Sequence, residues 1–214
     1  MQGKFVTFEG GEGVGKTTQI ARAAEWLKSR GIEAIVTREP GGTARAEVLR
    51  GLLLERDSET MPPACELLLM FAARASHLTD LIEPALARGL WVLCDRFTDA
   101  TYAYQGSGRG MSEHDIDALV RIVHPARQPD LTLLLDAPAA TGMQRASERN
   151  GTQGPDRFET ERIEFFERVR QGYLARARRE PMRIKVIDAV KSLDAVQASI
   201  ASQLEAAFFA AVRA

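Results

Sequence analysis

The sequence has little of what would mark a specialised environment. Only two of its 214 residues are cysteine, Cys65 and Cys94. Both sit among apolar neighbours and show no metal-ligand spacing, so no disulfide framework is expected and a reducing cytoplasm is the expected compartment. An excess of either charge is also missing. Lys and Arg total 28 against 29 Asp and Glu, a net charge of −1. No global field draws the chain to nucleic acid or to a membrane surface, and any anion must be held by local clusters. The stretch MQGKFVTFEG lacks a charged-then-apolar signal pattern. No apolar run approaches the ~20 residues of a membrane helix. Internal repeats are absent. A 45% hydrophobic composition supplies enough core for a single domain over residues 1–214.

What is present is alternation. KFVTF (4–8), EAIVT (33–37), LWVLC (90–94), LTLLL (131–135) and RIKVI (183–187) are short and apolar on both faces, as strands of a buried parallel sheet are. Helical stripes lie between them: Ile20, Ala23, Ala24 and Leu27, closed by Gly31; Ile116, Leu119, Val120 and Val123; Ile163, Phe166, Val169 and Tyr173; Val196, Ile200, Leu204 and Phe208. The order predicts an α/β, doubly wound sheet with right-handed crossovers. ERNGTQGPDRF (148–158) carries Asn-Gly and Gly-Pro breakers and reads as a loop.

Between the first strand and the first helix stands Gly10-Gly11-Glu12-Gly13-Val14-Gly15-Lys16-Thr17-Thr18. It satisfies G-x-x-x-x-G-K-[ST] in the strand–loop–helix context that the motif needs. Its glycines let backbone N–H groups approach phosphate oxygens, and the helix N-terminus adds a positive dipole end. Lys16 would reach the β- and γ-phosphates and Thr17 would hold Mg²⁺. The loop therefore predicts a bound nucleoside triphosphate without saying where its phosphoryl group goes.

Other features bear on that question. The N-K-x-D signature of guanine-specific GTPases is missing, and no strand ends Asp-Glu as motor ATPases usually have. The third strand ends Asp95-Arg96 instead. An acid there can position Mg²⁺, and an arginine beside it can grip a second phosphate. Arg38-Glu39-Pro40-Gly41-Gly42 ends the second strand, at the edge where open α/β sheets bind ligands. Arg50 follows on the next helix. Arg74 interrupts the apolar run LLLMFAARASHL (67–78), where a long cation needs a partner. FTDATYAYQG (97–106) adds rings, a hydroxyl and an amide at the same rim, suiting a flat polar base that carries a phosphate. Arg145, Arg149 and Arg157 surround the breaker-rich loop. A lid at about 145–158 could close over the reacting phosphates and exclude water.

Together FEGGEGVGKTT (8–18), TREPGGT (37–43), FAARASHL (71–78), CDRF (94–97), AYQG (103–106) and the DRFE and FFERVRQGYL stretches (156–159, 165–174) resemble thymidylate kinases over nearly the whole chain. The resemblance implies a P-loop nucleoside-monophosphate-kinase fold, a five-stranded parallel sheet flanked by helices. It implies transfer of phosphoryl from ATP to dTMP with Mg²⁺, giving dTDP for dTTP synthesis, in a cytoplasmic homodimer. Gly13, Gly15, Lys16, Thr17 and Thr18 match the ATP phosphate loop, and Glu12 a loop acid near the acceptor or metal. Asp95 matches the Mg²⁺-associated acid. Arg38, Arg50 and Arg96 match groups around the acceptor phosphate. Arg74, Thr101 and Gln105 match the thymine-contacting set, and Tyr104 the ring that crowds the sugar's 2′ side. Arg145 and Arg149 match lid arginines. GEGV (11–14) contains no arginine, which places the catalytic one in the lid. For the ring that stacks on the base, Phe71 is expected, with Met70 as the alternative. The competing readings are a kinase for another nucleotide or nucleoside and a nucleotide-dependent switch.

Overall fold

The computed structural model describes residues 3–55, 60–150, 157–158 and 161–209, with Arg149 and Asn150 described in backbone only. The five expected strands are present as β1 (Phe5–Glu9), β2 (Ala34–Arg38), β3 (Trp91–Asp95), β4 (Leu131–Asp136) and β5 (Ile184–Asp188). They form one sheet in the order β2-β3-β1-β4-β5. All four pairings are parallel. Each strand ends one residue later than hydropathy suggests, on Glu9, Arg38, Asp95, Asp136 and Asp188. The ladder continues into these polar residues, pairing Phe8 with Asp95 and Arg38 with Asp95. Backbone pairing does not stop where hydropathy does, and the carboxyl edge of the sheet therefore carries the charges.

Alternation along β1 splits the core. Val6 and Phe8 point to one face, where they meet Ile20 and Leu27 of α1 (Lys16–Lys28) and Ile200 and Leu204 of α9 (Leu193–Phe208). Phe5 points to the other face and packs with Val92, Cys94, Phe97, Leu78 and Ile82. On that side lie α2 (Ala44–Leu54), α3 (Pro63–His77), α4 (Glu83–Ala87), α5 (Thr98–Thr101) and α6 (Glu113–Val123). The chain is completed by α7 (Ala139–Asn150) and α8 (Ile163–Arg179). Pro63 opens α3, where its missing N–H costs nothing. Thr43 and Ser192 cap α2 and α9 by accepting from the Ala46 and Ala195 N–H groups. The cap of α1 is Gly15, with no side chain to occupy the first N–H groups, so they stay available to an anion.

The 97–106 stretch is helical. It forms α5 and then a π-helical turn, Tyr102–Gly108. Residues of that turn are buried, Tyr104 and Gln105 among them. Among the described residues no helix is long and apolar enough to cross a membrane.

Candidate active site

The glycine loop sits at the carboxyl end of the central strand. Gly13 adopts φ 65°, a left-handed backbone, and its backbone lies against α7. A Cβ on Gly13 would strike the Gly142 carbonyl, and a Cβ on Gly142 would strike the Glu12 carbonyl. Glycine is needed on both sides of this contact, and it seats α7 directly on the loop. Lys16 is buried, and its Nζ donates to the carbonyls of Gly10 at 3.2 Å and Gly11 at 2.8 Å. Burial, and next the Arg96 guanidinium, draws its pKa below the usual lysine value, against the pull of Asp95, Glu12 and Glu9.

Arg96 begins the turn after β3 at φ 71°. Such a conformation costs a non-glycine residue about 1–3 kcal/mol and needs surrounding structure to hold it. That structure is present. Arg96 Nη1 donates to the Gly10 carbonyl at 2.8 Å and to the Tyr173 hydroxyl at 3.1 Å, and Nη2 donates to Glu12 Oε1 at 2.6 Å. Tyr104 donates its hydroxyl to the same Glu12 oxygen at 2.9 Å. Next to Arg96, Asp95 Oδ1 is buried without a hydrogen-bond partner among the described residues. A buried carboxylate oxygen left open in this way suits a hydrated cation.

A cavity of about 360 Å³ runs from the glycine loop across the sheet edge to α3. Glu12, Gly13, Val14, Gly15, Lys16, Thr17, Thr18, Arg38, Glu39, Arg50, Arg74, Asp95, Arg96, Thr101, Tyr104, Gln105 and Arg145 all line it, as do Met70, Phe97 and Phe158. The structure thus gathers nearly all the residues singled out in the sequence into one space. Gly10 and Gly11 lie behind it, beside a smaller cavity against β4 and α8.

Phe71 is the correction. It is buried with Leu67, Tyr102 and Ile116 and stacks on His124 at 6.2 Å, away from the cavity wall. Both it and Met70 lie one turn before Arg74 on α3, and the packing of α6 against α3 takes Phe71 inward and leaves Met70 facing the cavity. Phe71 still matters to the site, because the Arg74 guanidinium lies 4.8 Å from its ring centroid. Arg157, at the far end of the expected lid, donates to the Leu53 carbonyl at 2.8 Å and to Glu66 at 2.6 Å. The Arg149 side chain and residues 151–156 of the expected lid lie outside the described residues. Arg145 donates to the Ala189 carbonyl at 3.0 Å. Arg38 pairs with Glu47 at 3.0 Å, and Arg50 donates to the Pro40 carbonyl at 2.8 Å.

The far end of the cavity is built around Arg74, which is 2% exposed. Its Nε donates to Glu39 at 2.7 Å, and its Nη2 donates to the Thr101 hydroxyl at 3.0 Å and the Phe97 carbonyl at 3.3 Å. Glu39 also contacts His77 Nδ1 at 3.1 Å, and His77 Nε2 reaches the Thr37 hydroxyl at 2.7 Å. Burial pushes the Glu39 carboxyl up, but Arg74 and His77 together outweigh it and hold the group below its ordinary value. One atom of this assembly, Arg74 Nη1, is buried with no partner among the described residues. Gln105 stands on the same wall, its Nε2 donating to Glu66 at 2.8 Å. Thr101, expected to touch a base, accepts from Arg74 through its hydroxyl and keeps that hydroxyl's proton to donate.

Glu9 carries no signal in the sequence, where it reads as the polar residue after a strand. It is fully buried, and it accepts the Phe97 N–H at 2.7 Å and the Tyr173 hydroxyl at 2.8 Å, so it braces Arg96 from both sides. Burial first, and then Asp99, pushes its carboxyl up to about 8, against the opposing pull of Arg96, Tyr173 and the Phe97 N–H. Unfolded, this group titrates near 4.5. The folded chain therefore holds the proton to higher pH than the unfolded chain. The stability it brings is full below about 4.5 and is lost as pH rises towards about 8. Glu9→Gln, which cannot ionise, is expected to lose less thermal stability across that window than the parent. A parent-minus-variant difference in Tm that stays constant with pH would contradict this.

Comparison with known proteins gives a consistent result. The family model described as thymidylate kinase matches residues 8–200. A thymidylate kinase of Chromohalobacter salexigens is 59% identical over 203 residues, covering 94% of this chain and 95% of that protein. One of Methylococcus capsulatus is 56% identical over 203 residues, covering 95% of each. Among solved structures, thymidylate kinase from Ehrlichia chaffeensis superposes with a TM-score of 0.78 at 32% identity, over 95% of this chain and 100% of that one.

Proposed function

The chain belongs to the thymidylate kinase family and phosphorylates dTMP to dTDP with ATP, and from that premise we infer how its cavity divides the work. The glycine loop takes the ATP phosphates, with Lys16 at the transferring group. Arg96, backed by Arg38 and Arg50, takes the acceptor phosphate. The Arg74–Gln105 end takes the base. The observation that carries this division is the pair of open hydrogen-bonding atoms at that end. Arg74 Nη1 is a donor without a partner, and among the described residues nothing donates to Gln105 Oε1. Thymine offers the complement, an acceptor at O4 beside a donor at N3. Cytosine offers the reverse. Met70 and Phe97 supply the apolar walls, and Tyr104, fixed by Glu12, stands where a sugar would pass.

In this reading the acceptor phosphate oxygen attacks the γ-phosphorus in line, with no covalent enzyme intermediate. Lys16 stabilises charge on the transferring group. Arg96 orients the acceptor while its bonds to Gly10 and Glu12 keep it from closing on the nucleophilic oxygen. Thr17 and Asp95 would hold Mg²⁺, which supplies charge neutralisation between the phosphates. No cluster of three or more His, Cys, Asp and Glu side chains suited to a metal occurs among the described residues, and a site completed by phosphates and water fits that. Arg145 and Arg149, carried on a helix seated against the glycine loop, serve as the lid of a single domain in a cytoplasmic enzyme. A homodimer is supported by Val48, Leu52, Leu68 and Ile122, apolar side chains exposed by 47–75% on α2, α3 and α6.

The test is binding calorimetry with dTMP, dUMP and dCMP. Binding of dTMP and dUMP with dCMP weaker by roughly tenfold or more is expected, because the cytosine amino group would then meet the Arg74 donor and its N3 acceptor would meet the Gln105 carbonyl in a buried site. Equal affinity for dCMP would overturn the assignment of the base end.

A further inference from the structure

The geometry points to Glu66 as the positioning residue that sets base specificity: it fixes which end of the Gln105 amide faces the cavity. This rests on the reading of Gln105 as a base contact. An amide side chain is ambiguous in principle, since one end accepts and the other donates. Which end meets the base decides whether thymine or cytosine is read. Nothing in Gln105 itself makes that choice.

Glu66 makes it. The residue is on α3 and 1% exposed. Its Oε1 receives Gln105 Nε2 at 2.8 Å and Arg109 Nε at 3.4 Å. Its Oε2 receives Arg157 Nη2 at 2.6 Å and Arg109 Nη2 at 3.4 Å. Every one of these partners is a donor, and a carboxylate flanked by two guanidiniums can only accept. The amide of Gln105 must therefore turn its NH₂ towards Glu66 and its carbonyl towards the cavity. Gln105 is itself 1% exposed, so water cannot relieve the opposite orientation. With Arg74 Nη1 as the neighbouring donor, the wall presents donor and acceptor in the order that matches O4 and N3–H of thymine.

Glu66→Gln tests this with nearly unchanged shape. The new side chain has one accepting oxygen, which the arginines claim, and its NH₂ is left to face Gln105. Gln105 then reverses and presents its NH₂ to the base. The ratio of kcat/KM for dTMP to that for dCMP is expected to fall by roughly ten- to a hundredfold, mostly through loss of the dTMP term. A purely structural role for Glu66 would lower both substrates together and leave the ratio alone, and that result would overturn the proposal.

Gln105→Ala separates the two layers. If its ratio stays at the parent value, the reading of Gln105 as a base contact is wrong. If its ratio falls while that of Glu66→Gln does not, only the role of Glu66 is wrong. The double variant is expected to show a ratio no lower than Gln105→Ala alone, because the two residues act as one unit. If Glu66→Gln does not fold, the side-chain amide protons of Gln105 in the intact chain decide, assigned by NMR through their loss in Gln105→Ala. They are expected to keep their hydrogen-bonded shift when dTMP is added. Their transfer from Glu66 to the ligand would overturn the proposal.

Discussion

Replacing Lys16 with alanine is expected to lower kcat by about two to three orders of magnitude, the usual effect of removing one preorganised group at a developing charge. The effect starts from burial. The ammonium is 7% exposed and has lost most of its hydration, so its attraction for phosphate oxygens is stronger than in water. Its position is set in advance by the Gly10 and Gly11 carbonyls, and little reorganisation is needed when phosphate replaces them. Because the pair of carbonyls belongs to a loop whose shape is fixed by glycine conformations and by Arg96 on Gly10, the fold should survive the change. Steady-state kinetics with a parallel thermal melt check both halves. A kcat within threefold of the parent would remove Lys16 from the chemistry.

Arg74→Ala is expected to do two separate things. It leaves the Glu39 carboxylate, 5% exposed, without its main partner, and breaking a buried pair in this way costs about 3–5 kcal/mol. In a chain of this size that is about 10 °C of Tm. It also removes the donor aimed at the base, which is expected to raise KM for dTMP roughly ten- to a hundredfold with a smaller change in kcat. The two effects can be pulled apart. Arg74→Met with Glu39→Gln removes the stranded charge and restores apolar volume over the Phe71 and Phe97 rings. It should recover much of the Tm while KM stays high. Recovery of KM along with Tm would mean that Arg74 acts on the base only through the fold.

The sequence made some parts of this legible and hid others for physical reasons. The glycine loop is contiguous, and its chemistry resides in backbone groups and one lysine, so a local motif contains it. The strands were legible as apolar runs, but their last residues were not. Glu9 and Asp95 belong to the ladder although they look like the start of a loop. Met70 and Phe71 both precede Arg74 by about one turn, and only the packing of Phe71 against Tyr102 and Ile116 decides between them. Glu66, Arg109 and Arg157 come from three distant stretches, and their meeting around Gln105 has no signature in any of them. The π turn over Tyr102–Gly108 had none either, because its apolar and aromatic residues are equally consistent with a rim loop.

The most direct measurement is the rate of dTDP and ADP formation from ATP and Mg²⁺ with and without dTMP. Transfer to dTMP requires one ADP per dTDP, and almost no ADP when dTMP is left out or replaced by thymidine, which lacks the phosphate that Arg96 would hold. ADP formation that proceeds at the same rate without dTMP would contradict it, and the cavity at the end of β1 would then serve a nucleotide switch and not a phosphoryl transfer.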